Sequence, residues 1–169
     1  MPALYRPGGR ESTAGRNRYH THMLTRRSRA REVALQLLFL KDQNPAGVPR
    51  KVVEGFARDR LVNEERLRGS AELTAFALAL YDGVLGHQAT IDPVISSVAE
   101  NWRLSRMSPV DRNVIRLASY ELLHDPARQP VEIVLDEAIE LARRFGAKES
   151  PGFVNGVLDR IAKKRPAAS

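Results

Sequence analysis

From Ser108 onward, apolar residues recur at helical spacing in three successive segments, each with its own start and stop. Ser108 and Pro109 supply a capping hydroxyl and a first-turn proline, and Val110, Val114, Leu117, Ala118 and Leu122 follow on one face. "DPARQP" interrupts the pattern. A second stripe then reads Val131, Val134, Leu135, Ala138, Ala142 and Phe145, with Gly146 placed as a left-handed stop. Ser150 and Pro151 open the third segment, whose inward residues are Val154, Val157, Leu158 and Ile161. Three amphipathic helices in tandem must bury their stripes against one another, so the chain is confined to helix-on-helix packing.

The same spacing upstream predicts a helix from Ala30 to about Asp42 and a shorter one from Arg50 to about Arg60. A third covers "AELTAFALALYDGVLGH", and a fourth begins at Asp92–Pro93 and runs to about Trp102. Strand alternation is nowhere sustained. The expected fold is all-α, with about seven helices in residues 26–165, a disordered basic extension at 1–25 and a short tail at 166–169.

Several chemistries lack their residues. There is no cysteine, hence no disulfide frame and no thiolate metal site. No apolar run approaches the roughly 18 residues of a membrane span, and no apolar block follows the basic start as a secretory signal requires. A cytoplasmic protein that does not bind membranes is expected. Glu132, Asp136 and Glu140 make an acidic stripe away from the core, without a histidine or a second ligating helix. His124 sits beside Asp125 at a helix end, where a cation is favoured. No glycine-rich loop follows a strand. No catalytic residue, metal or cofactor is expected, and the chain is read as a non-enzyme.

Charge points elsewhere. The net charge is +7, and eight of the 27 basic residues lie within residues 1–31 beside a single acid, Glu11. The remaining chain balances at 19 of each sign. Arg26, Arg27, Arg29 and Arg31 are expected at the amino end of a helix, where the dipole disfavours each cation by about 0.3–1 kcal/mol. A polyanion would restore the balance. If each arginine neutralises one phosphate of a single strand, binding should weaken with salt at a log–log slope of about −3.

"RRSRAREVALQLLF", "NWRLSRMSPVDRNVIRLASYELL" and "VEIVLDEAIELARRFGAKESPGFVNGVLDRI" together resemble the NusB family. The resemblance covers Arg26 to about Asn44 and Ala99 to about Lys163, and in the middle of the chain only the helix pattern matches. It implies two three-helix bundles. It also implies a factor that binds boxA, a single-stranded RNA element of ribosomal RNA operons, together with the ribosomal protein NusE. The pair joins the elongating RNA polymerase complex with other Nus factors, producing transcription antitermination. Carried over by position, the RNA-binding residues are Arg26, Arg27, Arg29, Arg31 and Phe153, while Phe39, Asp111 and Arg112 face NusE. Ser28 stands where the family often has arginine, Pro151 and Gly152 replace bulkier residues, and Phe39 replaces a tyrosine. The resemblance also admits an alternative. The same module forms the amino-terminal domain of certain ribosomal RNA cytosine methyltransferases, here without the catalytic domain or its cysteine.

Overall fold

The computed structural model describes residues 18–62 and 70–167, with side chains from Arg26 onward. Within them are six α-helices: α1 (Arg18–Asp42), α2 (Arg50–Leu61), α3 (Ser70–Val98), α4 (Pro109–Leu123), α5 (Val131–Phe145) and α6 (Ser150–Ala162). One 3-10 turn, Leu104–Arg106, joins α3 to α4. No strand occurs among the described residues. The expected extension before Arg18 and the end of the tail, 168–169, lie outside them.

α1, α2 and α3 pack as one three-helix bundle and α4, α5 and α6 as a second. α3 and α1 lie against α4, and α3 also meets α6, so the two bundles share one core. Its first layer is Ala30, Val33, Ala34, Leu37 and Leu38 of α1, the stripe expected from their spacing. α4 is different. Every residue from Asn113 to Leu122 is buried, because this helix is wrapped from both sides. Its start carries the expected cap: Asp111 donates its backbone N–H to the Ser108 hydroxyl at 3.0 Å.

Three boundaries differ from the sequence expectation. α1 begins at Arg18, inside the expected extension, so Arg26 lies two turns into a helix rather than at its amino end. The dipole penalty, confined to the first turn, does not apply to it. The two helices expected to divide at Asp92–Pro93 are one, with Pro93 inside α3. Proline forfeits one ladder bond there. Burial of Ile91, Ile95 and Val98 on one stripe, and the grip of Arg116 on Asp92 at 2.8 and 2.9 Å, hold the halves in line. Gly146 ends α5 in extended backbone, not left-handed backbone (φ −92°). Glycine suits the position through close approach: a Cβ would lie 2.5 Å from the Ser150 hydroxyl and 2.7 Å from the Ala142 carbonyl.

Where α3 crosses α4, Gly83 lies under the Tyr120 ring, and a Cβ there would sit 2.1 Å from Cζ. Gly83→Ala should therefore force the ring aside and destabilise the fold by about 1–3 kcal/mol, measured as a lower thermal midpoint. Beside this crossing, His87 and His124 stack with centroids 4.4 Å apart. The His87 Nδ1 is 2.8 Å from the Gly83 carbonyl, and Tyr120 tilts against the His87 ring. Burial first, then the neighbouring His87, draws the His124 pKa below its ordinary 6.5. The expected cation beside Asp125 is thus disfavoured. The unfolded chain takes up this proton more readily, so the stability contributed by neutral His124 is complete above pH 6.5. It is lost as pH falls through the folded value. Thermal midpoints at pH 7.5 and 5 should show this loss, and His124→Asn should reduce the difference.

Candidate nucleic-acid interface

The four arginines of α1 separate into two groups. Arg26, Arg27 and Arg29 are exposed. The Arg27 guanidinium lies 5.0 Å from the Phe76 ring centroid, a cation–π contact that orients it on the α1–α3 surface. Arg29 pairs with Glu32, which also receives Arg144 of α5 at 3.1 Å. Arg31 is elsewhere. Only 2% of it is exposed, and its fork closes on Glu121 of α4 with two hydrogen bonds of 2.8 Å. Glu137 of α5 stands 3.8 Å away. The expectation that Arg31 grips RNA is corrected by this geometry: its donors hold buried carboxylates where three helices meet.

Burial works against the charged Arg31 guanidinium, but the Glu121 hydrogen bonds and the charges of Glu121 and Glu137 outweigh it and raise the pKa. Glu137 is pushed upward, by burial first, against the opposing pull of the Ser28 hydrogen bond and of Arg31. Ser28 acquires a role here, donating its hydroxyl to Glu137 at 2.7 Å. The sequence did hold the signal for Arg31. Leu35 and Leu38, four and seven positions on, are both buried, which puts Arg31 on an inward stripe.

Phe153, in the first turn of α6, is partly buried and meets Trp102 edge-on, with centroids 5.7 Å apart at 61°. Trp102 is 54% exposed, and it was not singled out as a site residue from the sequence. Asn101, with φ 68°, supplies the left-handed turn that ends α3 and presents the indole; asparagine tolerates that conformation better than most residues. Between these rings and the start of α4 is a cleft of about 190 Å³, walled also by Met107, Ser108, Asp111 and Glu149. The Asp111 Oδ1 is buried there and accepts no hydrogen bond. Phe153 and Asp111, assigned from the sequence to different ligands, thus share one cleft.

On the other side of the α4 start is a second hollow, about 450 Å³, formed by Leu35, Phe39, Leu40, Phe56, Val110 and Phe145. Phe39 is 45% exposed there, and Phe145, expected in the core, stands exposed at its edge. The Arg60 guanidinium caps the Phe56 ring at 3.4 Å. Arg112 does not line this hollow. Its guanidinium turns back to Asp42 at 3.2 Å, where Asn113 also donates at 2.9 Å, and together they pin the end of α1 to α4. Among the described residues, no three acids or histidines gather to hold a metal ion, and no helix is long and apolar enough to cross a membrane.

Two interlocked three-helix bundles, a basic stretch on the first helix and two hollows flanking the start of the fourth define a class of small helical module. The NusB family model matches residues 28–163, bridging the middle where the sequence showed only a helix pattern. The transcription antitermination protein NusB of Elusimicrobium minutum is 42% identical over 140 residues, covering 80% of this chain and 92% of its own. The solved structure of T. maritima NusB is 37% identical, with a TM-score of 0.69 over 83% of this chain and 93% of that one. A structure of antitermination factors NusB and NusE in complex with double-stranded RNA shares the fold at 24% identity, with a TM-score of 0.65 over 83% and 98%. The chain belongs to the NusB family of transcription antitermination proteins.

Proposed function

We propose that this protein is a non-catalytic, cytoplasmic antitermination factor. It binds the single-stranded boxA element of ribosomal RNA operons together with NusE, and acts with other Nus factors on the elongating RNA polymerase. The observation that carries the RNA reading is the exposure of Arg26, Arg27 and Arg29 on one helix. Guanidinium forks suit phosphate oxygens, and unstacked bases of a single strand seek aromatic surfaces such as Trp102 and Phe153. Arg31 leaves the contact set and serves the scaffold.

The NusE-facing surface is centred on Phe39 and its apolar hollow, with Asp111 and Arg112 at the neighbouring helix start. Exposed phenylalanines around a hollow of this size favour an inserted apolar anchor from a protein partner. Titrating labelled boxA RNA, with and without NusE, against a scrambled RNA of equal composition tests the proposal. Preferential binding of boxA, strengthened by NusE, is expected; equal binding of the two RNAs would reject it.

A further inference from the structure

Glu32 carries more countercharge than its burial requires. Its side chain is 6% exposed, and its two oxygens are taken by different helices. Oε1 pairs with the Arg29 Nη1 of α1, and Oε2 lies 3.1 Å from the Arg144 Nη1 of α5. The Gln36 amide also reaches Oε1 at 3.5 Å. Either arginine alone would balance the carboxylate, so the three groups together keep one positive charge. A tether between α1 and α5 requires only Arg144, and a pair within α1 requires only Arg29. Both arginine side chains are nearly half exposed, at 44% and 46%, and neither forms another ion pair among the described residues. A surface arginine ordinarily loses much rotamer freedom when it grips an anion. Here one corner of each fork is already fixed on a common anchor that solvent hardly reaches, which preorganises the pair. The Nε and Nη2 donors of both make no hydrogen bond among the described residues.

Resting on the RNA-binding reading above, we propose that Arg29 and Arg144 form a clamp for one backbone phosphodiester, with Glu32 as the positioning residue between them. Guanidinium forks present donors in the fixed geometry that phosphate oxygens accept, and two forks can serve the two free oxygens of one linkage. The single net charge of the three groups matches the single negative charge of a phosphodiester. It matches a doubly charged terminal phosphate less well. Arg144 thus carries the basic face of α1 across to the end of α5, and the strand is held from two helices rather than one. Glu32, for its part, keeps the two cations together without cancelling them.

The intact protein is titrated with a boxA-type RNA in which one linkage at a time carries a neutral methylphosphonate. At one linkage the change should weaken binding by about threefold in the unaltered protein. At that linkage it should cost nothing further in Arg29→Ala or Arg144→Ala. Each of these variants leaves Glu32 with one countercharge, so the helical circular dichroism should be retained. Each also leaves the remaining pair neutral, and the log–log salt slope should shrink by about 0.7. The slope should return in Arg144→Ala combined with Glu32→Gln, where Arg29 again stands unbalanced. An unchanged slope in Arg144→Ala, or the lack of any linkage whose effect that variant removes, overturns the clamp and leaves the grip to α1 alone. Failure of the unmodified RNA to bind at low salt overturns the RNA reading together with the clamp. Weaker binding of inorganic tripolyphosphate by Arg144→Ala, with RNA binding unaffected, would assign the pair to a free anion and equally overturn it.

Discussion

Arg31→Met should lower the unfolding free energy by about 3–5 kcal/mol, seen as a large drop in the urea midpoint, with little change in the RNA contacts of molecules that remain folded. The substitution keeps an unbranched apolar stem but removes the guanidinium that lies between Glu121 and Glu137. Glu121 is 2% exposed and Glu137 7%. A buried ion pair contributes little net stability against a well-packed apolar replacement, yet removing one partner strands the other without countercharge or solvent. Arg31→Met combined with Glu121→Leu should therefore recover part of the loss. The deficit should also depend on pH. The raised pKa of Glu137 means the folded state binds its proton more readily than the unfolded chain. The stability linked to that group is fully present below its ordinary 4.5 and is lost as pH rises through the folded value. Without Arg31 that folded value rises further, so the mutant should be less impaired at acidic than at neutral pH. Equal destabilisation at both would show that the carboxylates are not the source.

Replacing Arg26, Arg27 and Arg29 together with alanine should nearly abolish the salt dependence of RNA binding. Three phosphate contacts on a single strand give a log–log slope of about −2, in place of the −3 expected when Arg31 is counted. The triple variant should approach zero, with affinity at low salt falling by at least tenfold. The single substitutions should be unequal. Arg29 is already partly balanced by Glu32, which it shares with Arg144. Arg27 is oriented by Phe76 and faces solvent, so Arg27→Ala should cost more. An unchanged slope in the triple variant, with the helical circular dichroism intact, would remove this helix face from the RNA interface.

The parts of this molecule legible in the sequence are those governed by local rules. Ser108–Pro109, with its hydroxyl and its missing donor, marks a helix start wherever the rest of the chain lies. The three stripes after it face inward as their spacing requires. Pro93 misled for the same reason: locally it is a start signal, and only the burial of Ile91 and Ile95 and the reach of Arg116 from another helix carry α3 through it. Charge was harder to place. Four arginines in six residues look alike until α4 and α5 bring Glu121 and Glu137 to one of them. Residue type told what Arg31 could bind, but not that the binding partner was internal. Trp102 was hidden for the opposite reason, since its exposure depends on the turn at Asn101 and on the distant Phe153. Pairwise contacts between remote segments leave no periodic trace.

The burial of α4 along ten consecutive residues has a consequence for how this protein can diverge. A stretch with no solvent face has no position at which a change is silent, because every residue from Asn113 to Leu122 is buried. Drift in that stretch must proceed by matched exchanges on several helices at once. The freedom to adjust ligands is left to its two ends: the first turn, between the aromatic cleft and the apolar hollow, and the last, where His124 leaves the core. New specificities in such a lineage should therefore arise at the tips of a spine that itself stays nearly frozen.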